Sequence, residues 1–593
     1  MTSISWMQSL EQLKKLPVHE LPGVAGEVRR FLLESLAATG GHIGASLATV
    51  ELTIALHYVF ESPQDQLLWD TGHQGYAHKL LTGRYDRFPT LNSYGGMSRF
   101  VARAESVHDV MDATHAGTAI STGLGIALAK KLQQDSSYTV AIVGDGALAE
   151  GLSLEGLNHA AVEAGIRLVV VINDNGFAIS PGFGAIHNYL AARQVGAAVS
   201  DTLFTALGME YIGPVDGHDP AALVAALEQA KLAVKLPVVH VKTEKGHGLP
   251  PAADHPYRLH FSFPFDQETG KTLPGYASVG YPDHAAQVIK KAMDQDQRIV
   301  AITPSTKYAT GLESVFKEYP ERCFDPGMAE QHAMSLTAGF ALAGCKPVIF
   351  YQSTFMQRAF DQLFHDVCFM ELPVLILAAR AGLAGYDGAT HHGIYDISYL
   401  RGLPNLTMMY PKDRFEMERM IMDSLNHLTG PVWIGMPYGP IDALDENVLN
   451  ESAASFAQAE EVLAGKDLLL VTMGNKYKEG LETVTTLRQS GVDAGLLNLR
   501  HLKPLPVEQL CRLLRSTPRV VSLEENIVDG GMGSALAELI LDADIPLMEL
   551  LRLGLPGQFI EGGSTAELIS IFGLDSPGIL ASIQRRWPAL CQK

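Results

Sequence analysis

Short runs of β-branched and apolar residues, separated by segments long enough for a helix, limit the fold of this chain most. They fall at 138–144, 167–173, 237–242, 298–303, 346–351, 373–379, 431–436, 467–474, 493–499 and 519–524. Continuous apolar strands that alternate with helices predict parallel sheets covered on both faces. Two stretches interrupt the pattern. Residues 246–275 are rich in Pro, His and Gly, and 438–456 are polar. Linkers are expected there. The fold class read from this is α/β, with three doubly wound parallel-sheet domains near 1–270, 276–440 and 460–593.

Composition agrees with large packed domains. Of 593 residues, 47% are hydrophobic and 19% charged, below the roughly 25% charged of an average domain. Lys and Arg number 45 against 65 Asp and Glu, a net charge of −20. That balance opposes general nucleic-acid binding and attachment to anionic membranes, both of which need excess Lys and Arg. Apolar runs such as 168–172 are too short to span a bilayer. The five cysteines are too few for a disulfide framework and form no Cys-x-x-Cys pair. The start lacks a basic region followed by an apolar run. A cytoplasmic enzyme without nucleic-acid or membrane partners is expected.

The sharpest chemical signal is Gly144-Asp145-Gly146 followed by Asn173-Asp174-Asn175, each closing a predicted strand. Alone, the first is an ordinary turn and the second an ordinary cap or loop. Together they place two oxygen donors at strand carboxyl ends, where doubly wound sheets bind ligands. Asp145 offers an anionic oxygen, Asn175 an amide oxygen, and the Phe177 carbonyl a third. Mg²⁺ prefers such oxygens, completed by phosphate and water. Gly146 and Ala147 leave room for a diphosphate to approach the backbone.

This pairing resembles the signature of thiamine diphosphate enzymes. Gly40-Gly41-His42-Ile43-Gly44-Ala45-Ser46, Trp69-Asp70-Thr71-Gly72-His73-Gln74, Tyr211-Ile-Gly-Pro-Val-Asp-Gly-His218, Ala329-Glu330-Gln331-His332 and Asp387-Gly388-Ala389-Thr390-His391-His392-Gly393 narrow the likeness. They resemble the 1-deoxy-D-xylulose-5-phosphate synthase family over nearly the whole chain. An insertion usual after about Ala192 is much shorter here. The resemblance implies two thiamine-diphosphate-binding-fold domains, for the diphosphate and the pyrimidine, then a transketolase C-terminal-like domain. It implies thiamine diphosphate and Mg²⁺ as cofactors, pyruvate and an aldehyde as substrates, a homodimer, and a place in isoprenoid and thiamine precursor supply.

By the same likeness, Glu330 would face the pyrimidine and His73, His115 and Phe355 would hold the cofactor. His42, His260 and His391 would handle substrate, Asp387 would grip an acceptor hydroxyl, and Arg380 would hold an acceptor phosphate. Each has a plainer reading. Glu330 suits a helix N-terminus, Phe355 a core, Asp387 a turn, and a lone histidine a surface.

The sequence departs from the family at the acceptor. An expected arginine is Tyr438, and an expected tyrosine before Ser353 is Gln352. Leu249 replaces a tyrosine, Ala379 an acid, and Ala116-Gly117 a Ser-Ser pair. A guanidinium fork exchanged for a phenol is a large change for phosphate recognition. Either Arg358, Arg380 or Arg401 compensates, or the acceptor differs. Three reactions stay open: the family reaction, the same chemistry on an unphosphorylated aldehyde, and transketolase chemistry. A non-catalytic paralogue is disfavoured, since Asp145, Asn175 and Glu330 are all present. The last domain shows no chemistry and is expected to serve assembly.

Overall fold

The computed structural model describes residues 10–112, 114–194, 202–276, 280–546 and 549–592. Most of the segment after Ala192, where the family insertion is short, lies outside the described residues. The chain forms two compact units, residues 1–277 with 326–329, and residues 278–325 with 330–593.

The first unit holds β1 (Gln66–Trp69), β2 (Thr139–Gly144), β3 (Leu168–Asp174), β4 (Glu210–Asp216) and β5 (Pro237–Lys242). They form one sheet in the order β1-β2-β3-β5-β4. Every neighbouring pair is parallel. β3 reads Leu-Val-Val-Val-Ile-Asn-Asp and is buried along its length, as a strand covered on both faces must be. Gly144 pairs with Asn173, so the two motif strands are neighbours and end together.

The second unit contributes β6 (Ile299–Ile302), β7 (Cys323–Phe324), β8 (Lys346–Gln352), β9 (Leu375–Ala379), β10 (Thr407–Met409) and β11 (Val432–Met436). Its later part holds β12 (Glu460–Leu463), β13 (Leu468–Thr472), β14 (Ala494–Asn498), β15 (His501–Lys503), β16 (Arg519–Ile527) and β17 (Glu549–Leu555). One sheet has the order β15-β10-β11-β9-β8-β6-β7 and the other β12-β14-β13-β16-β17. Both are parallel apart from the edge strands β15 and β12. The last third therefore lends a strand to the preceding sheet. The α/β class read from the sequence is the class observed.

The expected linkers are packed structure. Leu249, Ala252, Leu259 and Phe265 sit in the first unit's core. Backbone bonds from Gly44 to Leu259 and from Phe265 to Ala37 tie this segment down. Within 438–456, Val448 and Phe456 are core residues. Pro and Gly set turns there without loosening the chain, because flanking apolar side chains are buried.

Among the described residues, Thr565–Arg586 is the one stretch apolar and long enough to suggest a membrane span, with mean hydropathy 1.3. It is broken into the helices Thr565–Ile571 and Ser576–Arg586. Gly573 turns the chain between them at φ +64. Neither helix approaches the roughly 20 residues a bilayer needs.

Candidate cofactor and substrate sites

In the first unit, Asp145 opens the helical turn Asp145–Leu148 directly after β2. Its carboxyl is buried, and Oδ1 has no hydrogen-bond partner among the described residues. Burial, followed by the nearby Asp174 charge, pushes Asp145 up to about 7, against the pull of Lys245. Burial in turn pushes Lys245 down to about 7. Lys245 donates to the Ala178 carbonyl at 2.6 Å. Sequence reading missed this lysine. Nothing in the Lys-Gly-His-Gly sequence after β5 marks this cation as buried.

Asn175 follows β3, and its Oδ1 accepts from the Phe177 amide at 3.2 Å, leaving a second lone pair on that oxygen. Gly146 has no room for a side chain, since a Cβ would lie 2.8 Å from the Ala178 Cβ. Ala147 is buried, and its carbonyl accepts from Ser153 at 2.7 Å. The middle residue, Asp174, is held by His240 at 2.9 Å. Asn173 donates to Gln74 at 2.9 Å, which ties the end of β3 to the loop carrying His73. An acceptor-only buried carboxylate oxygen beside an amide oxygen suits a hard cation, so these residues fit a magnesium-bound diphosphate.

His42, His73 and His260 come together although they are far apart in sequence. Their ring centroids are 5.5 Å (His42–His73), 5.5 Å (His42–His260) and 5.2 Å (His73–His260) apart. The packed 246–275 segment brings His260 in, through the Gly41–Ser262 bridge. Surrounding protein and then the Lys245 ammonium push His73 down to about 3, and His260 falls well below its ordinary value for the same reasons. Burial therefore favours the neutral form of both rings. Nδ1 of each is buried without a partner among the described residues. His115 is half-buried in the loop before the helix Ala119–Leu132.

Glu51, His218 and His247 also gather ligand-type atoms within 4.8 Å. Arg29 already holds Glu51 at 2.7 and 2.8 Å. The two imidazoles stack at 3.7 Å, so their lone pairs run side by side and do not converge on a metal. His218 Nε2 accepts from the Glu244 amide at 2.9 Å. The group clamps the loop bearing Lys245.

In the second unit, Glu330 opens the helix Glu330–Leu342. Its side chain is buried, and Oε2 has no hydrogen-bond partner among the described residues. Arg358 approaches that oxygen to 3.9 Å. Burial raises the Glu330 pKa despite the opposing guanidinium. Phe355 packs edge-on against His391 at 5.5 Å. Two hydrogen bonds position them: Thr354 Oγ1 donates to the Thr390 carbonyl at 2.6 Å, and Ser353 donates to buried Asp396.

Arg380 follows β9 at φ +62, a strained conformation that costs on the order of 1–3 kcal/mol. It donates to Asp387 at 2.9 Å, and its guanidinium lies 5.2 Å from the centroid of the Tyr438 ring. Arg401 is taken by Glu538 at 2.6 and 2.7 Å, so it does not replace the missing arginine at Tyr438. Gln352 and Leu249 are buried.

The family model of the transketolase thiamine diphosphate binding domain matches residues 106–323. The transketolase pyrimidine binding domain matches 278–439, and the transketolase C-terminal domain 457–579. Fold and motifs together define a thiamine diphosphate-dependent transferase of the transketolase class. A further family model, 1-deoxy-D-xylulose-5-phosphate synthase, matches residues 4–201. The 1-deoxy-D-xylulose-5-phosphate synthase 1 of Geobacter sulfurreducens is 39% identical over 96% of this chain and 95% of its own length. The enzyme of that name from Thioalkalivibrio sulfidiphilus is 41% identical over 98% and 95%. The chain belongs to the 1-deoxy-D-xylulose-5-phosphate synthase family. A transketolase from Pichia stipitis aligns over 95% of this chain and 97% of that one, at 16% identity and a TM-score of 0.45.

Proposed function

We propose that this chain joins the two-carbon unit of decarboxylated pyruvate to an aldehyde. The pyruvate carboxylate leaves as carbon dioxide. The electron pair it leaves forms the bond to the aldehyde carbon, and the aldehyde oxygen takes up one proton. Thiamine diphosphate, when bound, would supply the electron-accepting ring that stabilises that pair on the former carbonyl carbon of pyruvate.

The observation that carries this reading is that two buried carboxylate oxygens, Asp145 Oδ1 and Glu330 Oε2, have no hydrogen-bond partner among the described residues. A buried polar atom left unpaired costs about 1–3 kcal/mol, so both are read as ligand contacts. Asp145, Asn175 and the Phe177 carbonyl hold Mg²⁺, and Gly146 and Ala147 admit the diphosphate. Glu330, its pKa raised by burial, would face the pyrimidine nitrogen of the cofactor, and Phe355 would pack on that ring. His73 and His115 orient the cofactor. His42, His260 and His391 donate to substrate oxygens and move the final proton. Asp387 and Arg380 face the acceptor.

The three sheets support a division into a diphosphate domain (1–270), a pyrimidine domain (276–440) and a C-terminal domain (460–593). Family membership supports a cytoplasmic homodimer. The test is calorimetric titration with thiamine diphosphate and Mg²⁺, followed by release of labelled carbon dioxide from pyruvate with an aldehyde present. Saturable binding and release are expected. No binding would end the reading, and release from a ketose instead of pyruvate would replace it with transketolase chemistry.

A further inference from the structure

We propose that the aldehyde accepted by this chain is an uncharged, short hydroxyaldehyde, and that Tyr438 determines this preference. The proposal rests on the reading that pyruvate supplies the two-carbon unit.

Arg380, the cation beside Tyr438 among the described residues, is already matched. One of its N–H groups binds Asp387 at 2.9 Å, and its guanidinium plane is covered by the Tyr438 ring at 5.2 Å. The pair is largely buried, with side chains 22% and 12% exposed. Tyr308 stands beside them, 56% exposed. Its phenol is raised first by burial and then by the carboxylates of Glu313 and Asp283, while Arg380 opposes them. Lys307, one residue earlier, is turned to Asp325 at 3.2 Å. Arg358 lies 3.9 Å from the Glu330 carboxylate. On this face the Asp387 carboxylate already occupies the Arg380 guanidinium.

A phosphate dianion would compete here with the Asp387 carboxylate for a guanidinium that is already bound. A neutral hydroxyaldehyde meets what it needs. Asp387 accepts from a hydroxyl, Arg380 donates to another oxygen, and the Tyr438 and Tyr308 rings pack against C–H groups. Tyr438 is fixed in this role because Gly385 leaves it room, a Cβ there lying 3.2 Å from the Tyr438 ring.

The test compares kcat/KM for D-glyceraldehyde and D-glyceraldehyde 3-phosphate. The holoenzyme is supplied with saturating pyruvate, carbon dioxide release is followed, and the product is identified by mass. The expected result is a preference of at least about tenfold for the uncharged aldehyde. Tyr438→Arg should shift the ratio at least about tenfold toward the phosphorylated one, chiefly through the aldehyde KM. A wild-type preference for the phosphorylated aldehyde, with normal carbon dioxide release, would overturn the proposal and leave the pyruvate reading intact. So would a Tyr438→Arg ratio equal to wild type. Failure to release carbon dioxide from pyruvate with either aldehyde would overturn both.

Discussion

Arg358 lies 3.9 Å from the Glu330 carboxylate, too far for a hydrogen bond and close enough to act on its charge. Burial raises the Glu330 pKa and the guanidinium limits the rise. Glu330→Gln should lower pyruvate turnover on the order of 100-fold, the range of a lost proton-holding group, with cofactor binding retained. Arg358→Met should raise the Glu330 pKa further and move the pH–rate profile upward. Steady-state rates across pH check both, and a Glu330→Gln enzyme with wild-type turnover would remove Glu330 from the chemistry.

Asp145 and Lys245 share a buried environment that pushes the acid up and the base down, each to about 7. A divalent cation on Asp145 favours its ionised form. Mg²⁺ binding should therefore release protons near neutral pH and strengthen as pH rises toward 8. Asp145→Ala should weaken Mg²⁺-dependent thiamine diphosphate binding at least about tenfold. Calorimetry in buffers of different ionisation enthalpy measures both effects. Cofactor affinity insensitive to the substitution and to chelator would contradict the ligand assignment.

His73 and His260, whose pKa values burial lowers, should favour the neutral ring. His73, pushed down to about 3, should keep an uncharged imidazole from pH 5 to 8 in NMR titration. His260→Ala should lower kcat/KM for pyruvate on the order of 100-fold, since it removes an Nδ1 with no other partner. A His73 resonance that titrates near 6.5 would show that the cluster is open to water and not desolvated.

Residues whose chemistry is local were legible before folding. Asp145 and Asn175 announce themselves because strand ends carry polar residues after apolar runs, and the described β2 and β3 end within a residue of the expected limits. β1, β4, β7, β10, β12, β15 and β17 were missed: β1, β7, β10, β12 and β15 have four residues or fewer, Pro214 interrupts β4, and β17 is largely half-buried. Contacts between distant segments left no local trace. Lys245 is a surface-type residue buried only because β5 runs beside β3. The last third, expected to serve assembly, also supports the acceptor loop. Glu525 accepts from the Leu383 amide at 2.7 Å, and His392 meets the Glu561 carbonyl at 3.4 Å. No periodicity or motif reveals such pairs.

Asp396, fully buried at the start of the helix Asp396–Leu400, accepts from Ser353 and from Tyr399, the latter at 3.3 Å. Through Ser353 it holds the turn that aims Phe355 at His391. Burial pushes Asp396 up to about 7, against these two hydrogen bonds. A carboxyl whose folded pKa is raised stabilises the fold below its unfolded pKa of about 4. That contribution is lost as pH rises toward 7, because the folded state holds the proton more tightly than the unfolded state. Each unit of difference is about 1.4 kcal/mol, so the window from pH 4 to 7 should carry a few kcal/mol. Asp396→Asn cannot ionise and should lack this slope. The thermal midpoint of the variant minus that of the wild type should therefore become more positive from pH 5 to 8. Parallel midpoint curves over that range would show that Asp396 does not titrate there, and its part in holding Ser353 would then rest on an ionised carboxylate.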